Sequence, residues 1–367
     1  GHDIIPVMDS LVIGGTGPTG HFMVNGLRER GYRVAILHSG RHEVDEIPDD
    51  VEHIHTDAFD PEKVAAALEG RSFDVCIATY GRLRRNAELL KERCGRFLSI
   101  GGVPAYRGFM NPGLFAPAGL PVPTPEDAPL VREPTEDEKG YRIVRTEEAV
   151  FANHPTATHF RYPDVYGPYQ LVPREWCIVR RILDGRRQII LPDDGLTLHH
   201  YGYAENLAHA VLLAVDHPET SCGEIFHCAD EEILTLRQVV EIVTEALDAT
   251  LEIVSMPGHL AVSARPLLTQ PLTTHLVLDL SKLKEKLGYR DKVAPREALT
   301  RTAKRLAAEP LEPGGIEEKV LQDPFDYAAE DALIASWQRA LAQVEVPTFE
   351  VEPGYTLSYS GPGGRER

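Results

Sequence analysis

The sequence lacks several features that would place it outside the soluble globular proteins. No apolar run is long enough to cross a membrane, so we expect no membrane partner. The first seven residues contain neither a basic start nor a long apolar stretch, so we expect no signal peptide and a cytoplasmic location. Basic residues are few, 38 against 56 acidic ones, and the formal charge of −18 disfavours nucleic-acid binding.

Cysteine is also scarce. Five cysteines are scattered along the 367 residues, and no two have the C-x-x-C spacing: Cys76, Cys94, Cys177, Cys222 and Cys228. Such an odd and unpaired set predicts reduced, mostly buried thiols rather than a disulfide framework or a zinc site. We therefore expect no metal centre.

What the sequence does contain is a regular alternation of strand and helix patterns. From Ser10 to about Ile100, short apolar runs such as "LVIGG", "YRVAILHS" and "FDVCIAT" alternate with helical patterns. Parallel strands joined by helical crossovers have this pattern. The sequence therefore predicts an α/β fold with a doubly wound parallel Rossmann sheet, followed by a smaller α+β C-terminal region that binds substrate.

The domain boundaries follow from composition. We expect a dinucleotide-binding domain over residues 8–170, which includes a long proline-rich active-site loop at 103–137. A smaller substrate-binding region follows at 171–308. Residues 309–367 form an extension with one amphipathic helix and a disordered end. The loop and the added helix predict a covered pocket and a subunit contact in a homodimer.

The stretch "LVIGGTGPTG" ends the first predicted strand with glycines at positions 14, 17 and 20. Glycine permits a tight turn and lets the backbone approach a pyrophosphate, and the helix that follows offers a partly positive amino terminus. The turn from Gly14 to Gly20, which includes Thr16, Pro18 and Thr19, is therefore predicted to bind a dinucleotide.

This G-x-x-G-x-x-G spacing resembles the extended short-chain dehydrogenases/reductases, the NAD-dependent epimerase/dehydratase family. Two further segments are similar to that family: "HFRYPDVYGPYQ" at 159–170 and "LDLSKLKEKLGYRDKVAPREAL" at 278–299. The resemblance covers residues 10 to about 305. It implies a nicotinamide cofactor, and the further positions that it places at the cofactor are Asp57, Ala58, Ala78, Thr79, Tyr162 and Pro163.

The end of the second predicted strand indicates which cofactor is bound. An acidic residue there would hydrogen-bond the adenosine ribose, whereas basic or small polar residues admit a 2'-phosphate. The sequence reads "AILHSGRHE" and offers Ser39 and Arg41 at this place. We therefore expect NADP(H) to be favoured over NAD(H).

The resemblance also implies a catalytic tyrosine, a lysine four residues later and a serine. Tyr141 has the tyrosine spacing, but Arg145 stands at the lysine position. If Glu148 is taken as the family's later glutamate, Gly140 and Val144 occupy these positions instead. The usual serine position falls near Gly102, and Ser99 lies three residues earlier.

Other residues are candidates for the missing roles. Tyr106 follows the fifth predicted strand, where sites in open α/β sheets lie, so Tyr106 joins Tyr141 and Arg145 as a catalytic candidate. His199, beside His200, stands where the family usually has an acidic pair, and one of these histidines could act as an acid or base. Arg174 follows the "VYGP" segment, and its guanidinium suits a substrate anion.

These features favour an NADP(H)-dependent oxidoreductase that acts on a carbonyl or alcohol of a small, hydrophobic or aromatic molecule. One alternative is a nucleotide-sugar epimerase or dehydratase that retains its cofactor. Another is a cofactor-binding sensor or scaffold without hydride chemistry, which the absent serine and lysine favour.

Overall fold

A computed structural model describes residues 5–14, 17–40, 44–79, 81–268 and 274–354. Its strands are β1 (Asp9–Ile13), β2 (Arg33–His38), β3 (Glu52–His55), β4 (Phe73–Thr79), β5 (Cys94–Gly102), β6 (Thr158–Tyr162), β7 (Asp164–Tyr166), β8 (Gln188–Pro192), β9 (Tyr201–Tyr203), β10 (Glu224–His227) and β11 (Glu252–Met256). Its helices are α1 (Gly20–Glu29), α2 (Pro61–Ala67), α3 (Leu83–Leu89), α4 (Glu138–Asn153), α5 (Glu175–Leu183), α6 (Ala204–Asp216), α7 (Pro218–Ser221), α8 (Leu236–Ala246), α9 (Arg265–Leu268), α10 (Ser281–Leu287), α11 (Pro295–Ala308), α12 (Ile316–Lys319) and α13 (Tyr327–Ala342).

The main sheet has seven strands in the order β10-β6-β5-β4-β1-β2-β3, and the pairings between neighbours are parallel. Its inner strands are apolar on both sides because helices cover both faces. One core contains α1 and α6 residues such as Leu27 and Val211, and the other contains α2 and α3 residues such as Val64 and Ala87. The predicted doubly wound Rossmann fold is confirmed.

Strand β10 comes from the second half of the chain and nevertheless completes the main sheet beside β6. Two smaller sheets, β11-β8 and β7-β9, belong to the α+β part that follows. Residues up to Phe325 form one compact unit, and those from Asp326 onward form a second. The predicted boundaries at 170 and 308 stay predictions.

The long loop at 103–137 is irregular, as predicted, apart from the 3-10 turns Val103–Ala105 and Pro112–Leu114. It ends at α4, where the Asp137 side chain caps the helix by accepting a hydrogen bond from the amide of Gly140. Helix α8 begins with a capping box formed by Thr235 and Gln238, and Thr235 is the cap that the sequence predicts. In the described part of the chain, no helix is both long and apolar enough to span a membrane.

Candidate active site

The glycine turn between β1 and α1 is closed too tightly for a side chain. Gly14 has φ +88°, and a Cβ there would lie 2.1 Å from Oγ1 of Thr79. That hydroxyl donates to the carbonyl of Ile13 at 2.9 Å, which fixes its position. The amide of Gly17 donates to the carbonyl of Gly14, and that of Gly20 to Gly17, both at 3.0 Å. The turn therefore has no side chains at these glycines, and its backbone is accessible where β1 ends.

The amino terminus of α1 is suited to an anion. The cap residue Thr19 makes no side-chain hydrogen bond to the helix, and no acidic residue stands in the first turn. The amides at this end therefore keep their partial positive charge for a phosphate. Pro18 and Thr19 are buried beside the turn, and Thr16 lies outside the described residues. The turn and the helix end thus fit a dinucleotide pyrophosphate.

The adenosine end of the predicted cofactor site lies where β2 and β3 end. Ser39 is exposed directly after β2, and Arg41 lies outside the described residues. The carboxylate of Asp57 accepts a hydrogen bond from the amide of Phe59 at 2.9 Å. Ala58 is half-buried beside it. Among the described residues at the end of β2, no acid is present to bind a ribose hydroxyl.

The other predicted cofactor positions also lie at the carboxyl ends of strands. Ala78 and Thr79 end β4, and Tyr162 and Pro163 end β6. All four are buried. Parallel strands bring these ends to one edge of the sheet, which is where open α/β sheets bind their ligands.

Helix α4 turns an unusual face toward the sheet. Its buried residues are Gly140, Val144, Glu147 and Val150. A Cβ at Gly140 would lie 2.5 Å from the carbonyl of Pro104, so no larger side chain fits there. The two positions that resemble the family's tyrosine and lysine in the second register are therefore glycine and valine, with no proton to exchange.

Tyr141 and Arg145 lie one position further round the same helix. Tyr141 is half-buried and packs against the apolar cluster of Ala105, Val131 and Val144. The guanidinium of Arg145 lies 4.8 Å from the centroid of the Tyr141 ring. The two residues predicted from the motif spacing are thus in contact.

A cavity of about 460 Å³ opens beside this pair. It is lined by residues 126–132 of the long loop and by Val144, Arg145 and Glu148 of α4. The side chain of Arg145 donates to Glu148 at 2.7 Å, so the helix wall of the cavity carries paired charges. The long loop and α4 together enclose a space large enough for a small molecule.

The serine of the family is absent from the sheet edge. Gly102 ends β5, and a Cβ there would lie 3.1 Å from Cδ of Pro104. Ser99 is fully buried further back in the strand, where its hydroxyl lies 2.6 Å from Nδ1 of His159. Ser99 therefore makes an interior hydrogen bond and does not reach the carboxyl edge of the sheet.

A buried polar network connects β6, β10, α4 and the long loop that follows β5. Arg161 donates to both carboxylate oxygens of Glu147, at 2.7 and 2.8 Å, and to the hydroxyl of Tyr106 at 2.8 Å. The Tyr106 hydroxyl also bonds Nε2 of His227, and Nε2 of His159 lies 3.3 Å from Glu147. All five side chains are less than 5% exposed. They hold α4, the strands β6 and β10 and the start of the long loop together.

Burial and pairing shift the pKa values in this network. Burial opposes ionisation of Glu147, but hydrogen bonds from Arg161 and His159 outweigh it and lower its pKa to about 2. Burial raises the pKa of Tyr106 to about 12 and lowers that of His227 to about 4. The network therefore holds one ion pair, with a neutral tyrosine and a neutral histidine beside it.

Tyr106 is thus 1% exposed and bonded on both sides, away from the cavity beside α4. Its predicted role as a proton donor stays a prediction. Glu147, Arg161 and His227, which form the network with Tyr106, were not predicted from the sequence. The available signal was the alternation in "HFRY", in which His159 and Arg161 point to one face of a buried strand.

Arg174 and His199 come together at the predicted substrate end. The guanidinium of Arg174 is 3.7 Å from the ring centroid of Tyr201, and it donates a long hydrogen bond of 3.4 Å to Glu175. Nε of Arg174 is buried without a hydrogen-bond partner. Burial lowers the pKa of His199, whose Nε2 lies 3.1 Å from the carbonyl of Thr274. The buried cation has capacity left for an anion.

Asp230 organises the neighbouring tyrosines. Its carboxylate accepts from the hydroxyl of Tyr166 at 2.5 Å and from the amide of Tyr203 and the side chain of Asn206, both at 2.9 Å. Burial raises the pKa of Asp230 to about 7. The carbonyl of Asp230 lies 2.6 Å from Nε2 of His200, and burial lowers the pKa of that histidine to about 4. His200 is therefore a neutral structural residue.

The order of the parallel sheet and the glycine turn give the chain a Rossmann fold that matches solved epimerase and dehydratase structures. Within that class, the family model of the NAD-dependent epimerase/dehydratase family matches residues 140–229. The resemblance inferred from the sequence is confirmed. This match and the reductase relative support an NAD(P)-dependent enzyme of the oxidoreductase or epimerase type, in a family that depends on NAD.

Individual relatives support the same placement. A 3-diazoavenalumate denitrifying reductase of a Streptomyces species is 26% identical over 242 residues, which are 61% of this chain and 77% of the relative. UDP-glucose 4-epimerase of Thermotoga maritima, solved with UDP-glucose, superposes with a TM-score of 0.62 at 21% identity. That match covers 82% of this chain and 99% of the epimerase. The enzyme WbmG of Bordetella bronchiseptica, solved with NAD, superposes with a TM-score of 0.62 at 16% identity. That match covers 84% of this chain and 96% of WbmG.

Proposed function

We propose that the protein is an NADPH-dependent reductase of a carbonyl or similarly electron-poor group on a small apolar or aromatic molecule. The observation that carries this proposal is the contact of Tyr141 with Arg145 on α4, which puts a proton-bearing hydroxyl beside a cation. Epimerisation and dehydration begin with oxidation of an alcohol, so their first step would use this tyrosine as a base and not as a proton donor. Reduction of an electron-poor acceptor requires a hydride and, afterwards, one proton.

The bound dinucleotide supplies the hydride. Gly14, Gly17 and Gly20 would hold its pyrophosphate on the backbone, and the amino terminus of α1 would balance the phosphate charge. Ser39 and Arg41 would bind the 2'-phosphate, since no described residue at the end of β2 is an acid that would repel it. This is the basis for the preference for NADPH over NADH.

Tyr141 delivers the proton to the reduced oxygen from the cavity side of α4. The cation of Arg145, which lies over the ring and lines the cavity, stabilises the tyrosinate that is left. A guanidinium has no compact ammonium head to hold the ribose, so this pair takes over only the proton-transfer part of the tyrosine and lysine roles.

The substrate carries an anionic group that binds Arg174. This buried guanidinium has a free Nε and only one long hydrogen bond, so a carboxylate or phosphate would complete its coordination. The ring of Tyr201 already covers one face of the guanidinium. A reductase among the relatives supports a reduced small molecule as the product.

The test compares cofactor binding and turnover in two glycine variants. Gly14→Ala should lose NADPH affinity about a hundredfold, because the new methyl group displaces Thr79 and distorts the turn. Gly31→Ala is the matched control, since Gly31 has a similar φ of +87° but no atom within 4 Å of the new Cβ. Equal affinities in the two variants would contradict the assignment of the cofactor site.

A nucleotide-sugar epimerase or dehydratase is the second candidate, and the family match at 140–229 favours it. The two functions differ in the fate of the cofactor. A reductase consumes added NADPH in proportion to product, whereas an epimerase returns its bound cofactor unchanged after each cycle. Stoichiometric NADPH oxidation with a panel of aromatic carbonyl acids supports the first proposal, and turnover of nucleotide sugars without net oxidation supports the second.

A further inference from the structure

Three histidines lie together at the edge of the main sheet, on β2 and β3 and next to the adenosine end of the predicted cofactor site. Strands β2 and β3 are parallel neighbours, with His38 opposite His55 and Ile36 opposite His53. Because side chains alternate along a strand, His38, His53 and His55 point to the same face. His38 is 6% exposed, whereas His53 and His55 are open to solvent.

The imidazoles are close enough to share one ion. Nε2 of His38 lies 2.9 Å from Nδ1 of His53, and the three ligand nitrogens are all within 4.8 Å of one another. A tetrahedral zinc ion with nitrogen ligands at about 2.0–2.1 Å holds those nitrogens about 3.3 Å apart. Small rotations of the two exposed rings bring the set to that spacing.

We propose that His38, His53 and His55 form a binding site for a late first-row divalent metal ion, with zinc as the representative. Neutral imidazoles suit zinc, copper and nickel, whereas calcium and magnesium require oxygen ligands. The exposed side of His53 and His55 leaves a fourth position for water. The sequence hid this site, because its ligands are spread over two strands and lack a familiar spacing.

The hydrogen bonding of His38 predicts a specific rearrangement on binding. The amide of Gly40 donates to Nδ1 of His38 at 3.0 Å, so the proton of the neutral ring resides on Nε2, which donates to His53. Ligation through Nε2 moves that proton to Nδ1. The Gly40 amide must then turn away, which its φ of +80° as a glycine permits.

The test is a calorimetric titration of the full chain with zinc chloride after treatment with a chelator. We expect one zinc ion per chain, and at least about tenfold weaker binding in His53→Ala and in His55→Ala. His259→Ala is the control, because His259 is an exposed histidine outside the cluster. Both test positions are exposed, so circular dichroism should show unchanged folding.

A second readout separates this site from adventitious binding. Zinc should speed hydrogen exchange at the Gly40 amide, and cobalt(II) in its place should give the intense visible bands of a tetrahedral site. Wild-type affinity equal to that of the His53→Ala/His55→Ala double variant would overturn the proposal. Tight binding with unchanged exchange at Gly40 would overturn the role of His38.

Discussion

Helix α4 carries two polar groups that differ in burial and in what they hold. On its sheet side, Glu147 is 4% exposed and bound by Arg161 in a bidentate pair. On its other side, Tyr141, Arg145 and Glu148 are half-buried or exposed, and Arg145 and Glu148 line the cavity. Tyr141 and Arg145, which resemble a catalytic motif, lie on the more exposed side. Glu147, which attaches the helix to the sheet through Arg161, does not belong to any motif spacing.

This difference has a simple origin. A shift of one residue along a helix turns a side chain by about 100°, which is enough to move it from the core to the surface. Glu147 and Glu148 are therefore adjacent in sequence, but Glu147 is buried against the sheet and Glu148 is exposed. The spacing of a motif shows which residues share one face of a helix. It does not show which face packs on the sheet, because that depends on tertiary packing.

The largest expected effect comes from removing the buried cation. Arg161→Met should destabilise the protein by about 3–5 kcal/mol, because Glu147 is left as an unpaired buried charge. Chemical denaturation monitored by circular dichroism measures this change. Arg145→Met is the matched variant on the exposed side and should leave the midpoint unchanged. Similar losses in both variants would remove the distinction between the two groups.

The buried side of α4 should make stability depend on pH in the acid range. The pKa of Glu147 falls from 4.5 to about 2 on folding, so its contribution to stability is present above pH 4.5 and is lost as the pH falls toward 2. The shift corresponds to about 3 kcal/mol. Unfolding free energies measured across this range should fall less steeply in Glu147→Gln than in the wild type. Parallel curves would contradict the low pKa.

The cavity side should matter for turnover and not for stability. Tyr141→Phe should lower NADPH-dependent turnover about a hundredfold, because the proton donor is lost, while the ring keeps its packing. Steady-state kinetics measures the effect, with KM for NADPH unchanged. Turnover within twofold of the wild type would exclude Tyr141 as the donor and return attention to Tyr106 or His199.

The smallest effect is expected from Arg145→Lys. A lysine keeps the positive charge near Tyr141 but loses the planar contact with its ring and the fork that binds Glu148. Turnover should fall only a few-fold, and much less than in Arg145→Met. If both variants are equally impaired, the guanidinium plane rather than its charge is what the reaction uses.

The fold and the glycine turn could be predicted from the sequence because they depend on local backbone properties. Gly14 needs a positive φ and has no room for a Cβ, and Thr235 forms the predicted helix cap. The network of Tyr106, Glu147 and Arg161 could not be predicted, because its members lie on separate elements that meet only in the folded chain. The cluster of three histidines could not be predicted for the same reason, because its members lie on two strands, β2 and β3.

The position of β10 has a consequence for how the chain folds during synthesis. Until His227 has left the ribosome, β6 presents an unpaired edge of the main sheet, and α6 is not yet packed on α1. Gly26 of α1 approaches Leu212 of α6 so closely that a Cβ would lie 2.2 Å from Cδ1, so the two helices seal one face of the sheet only after more than half the chain is made. An unpaired edge strand invites association with other chains. The edge of β6 is therefore open to wrong pairing until β10 has been made.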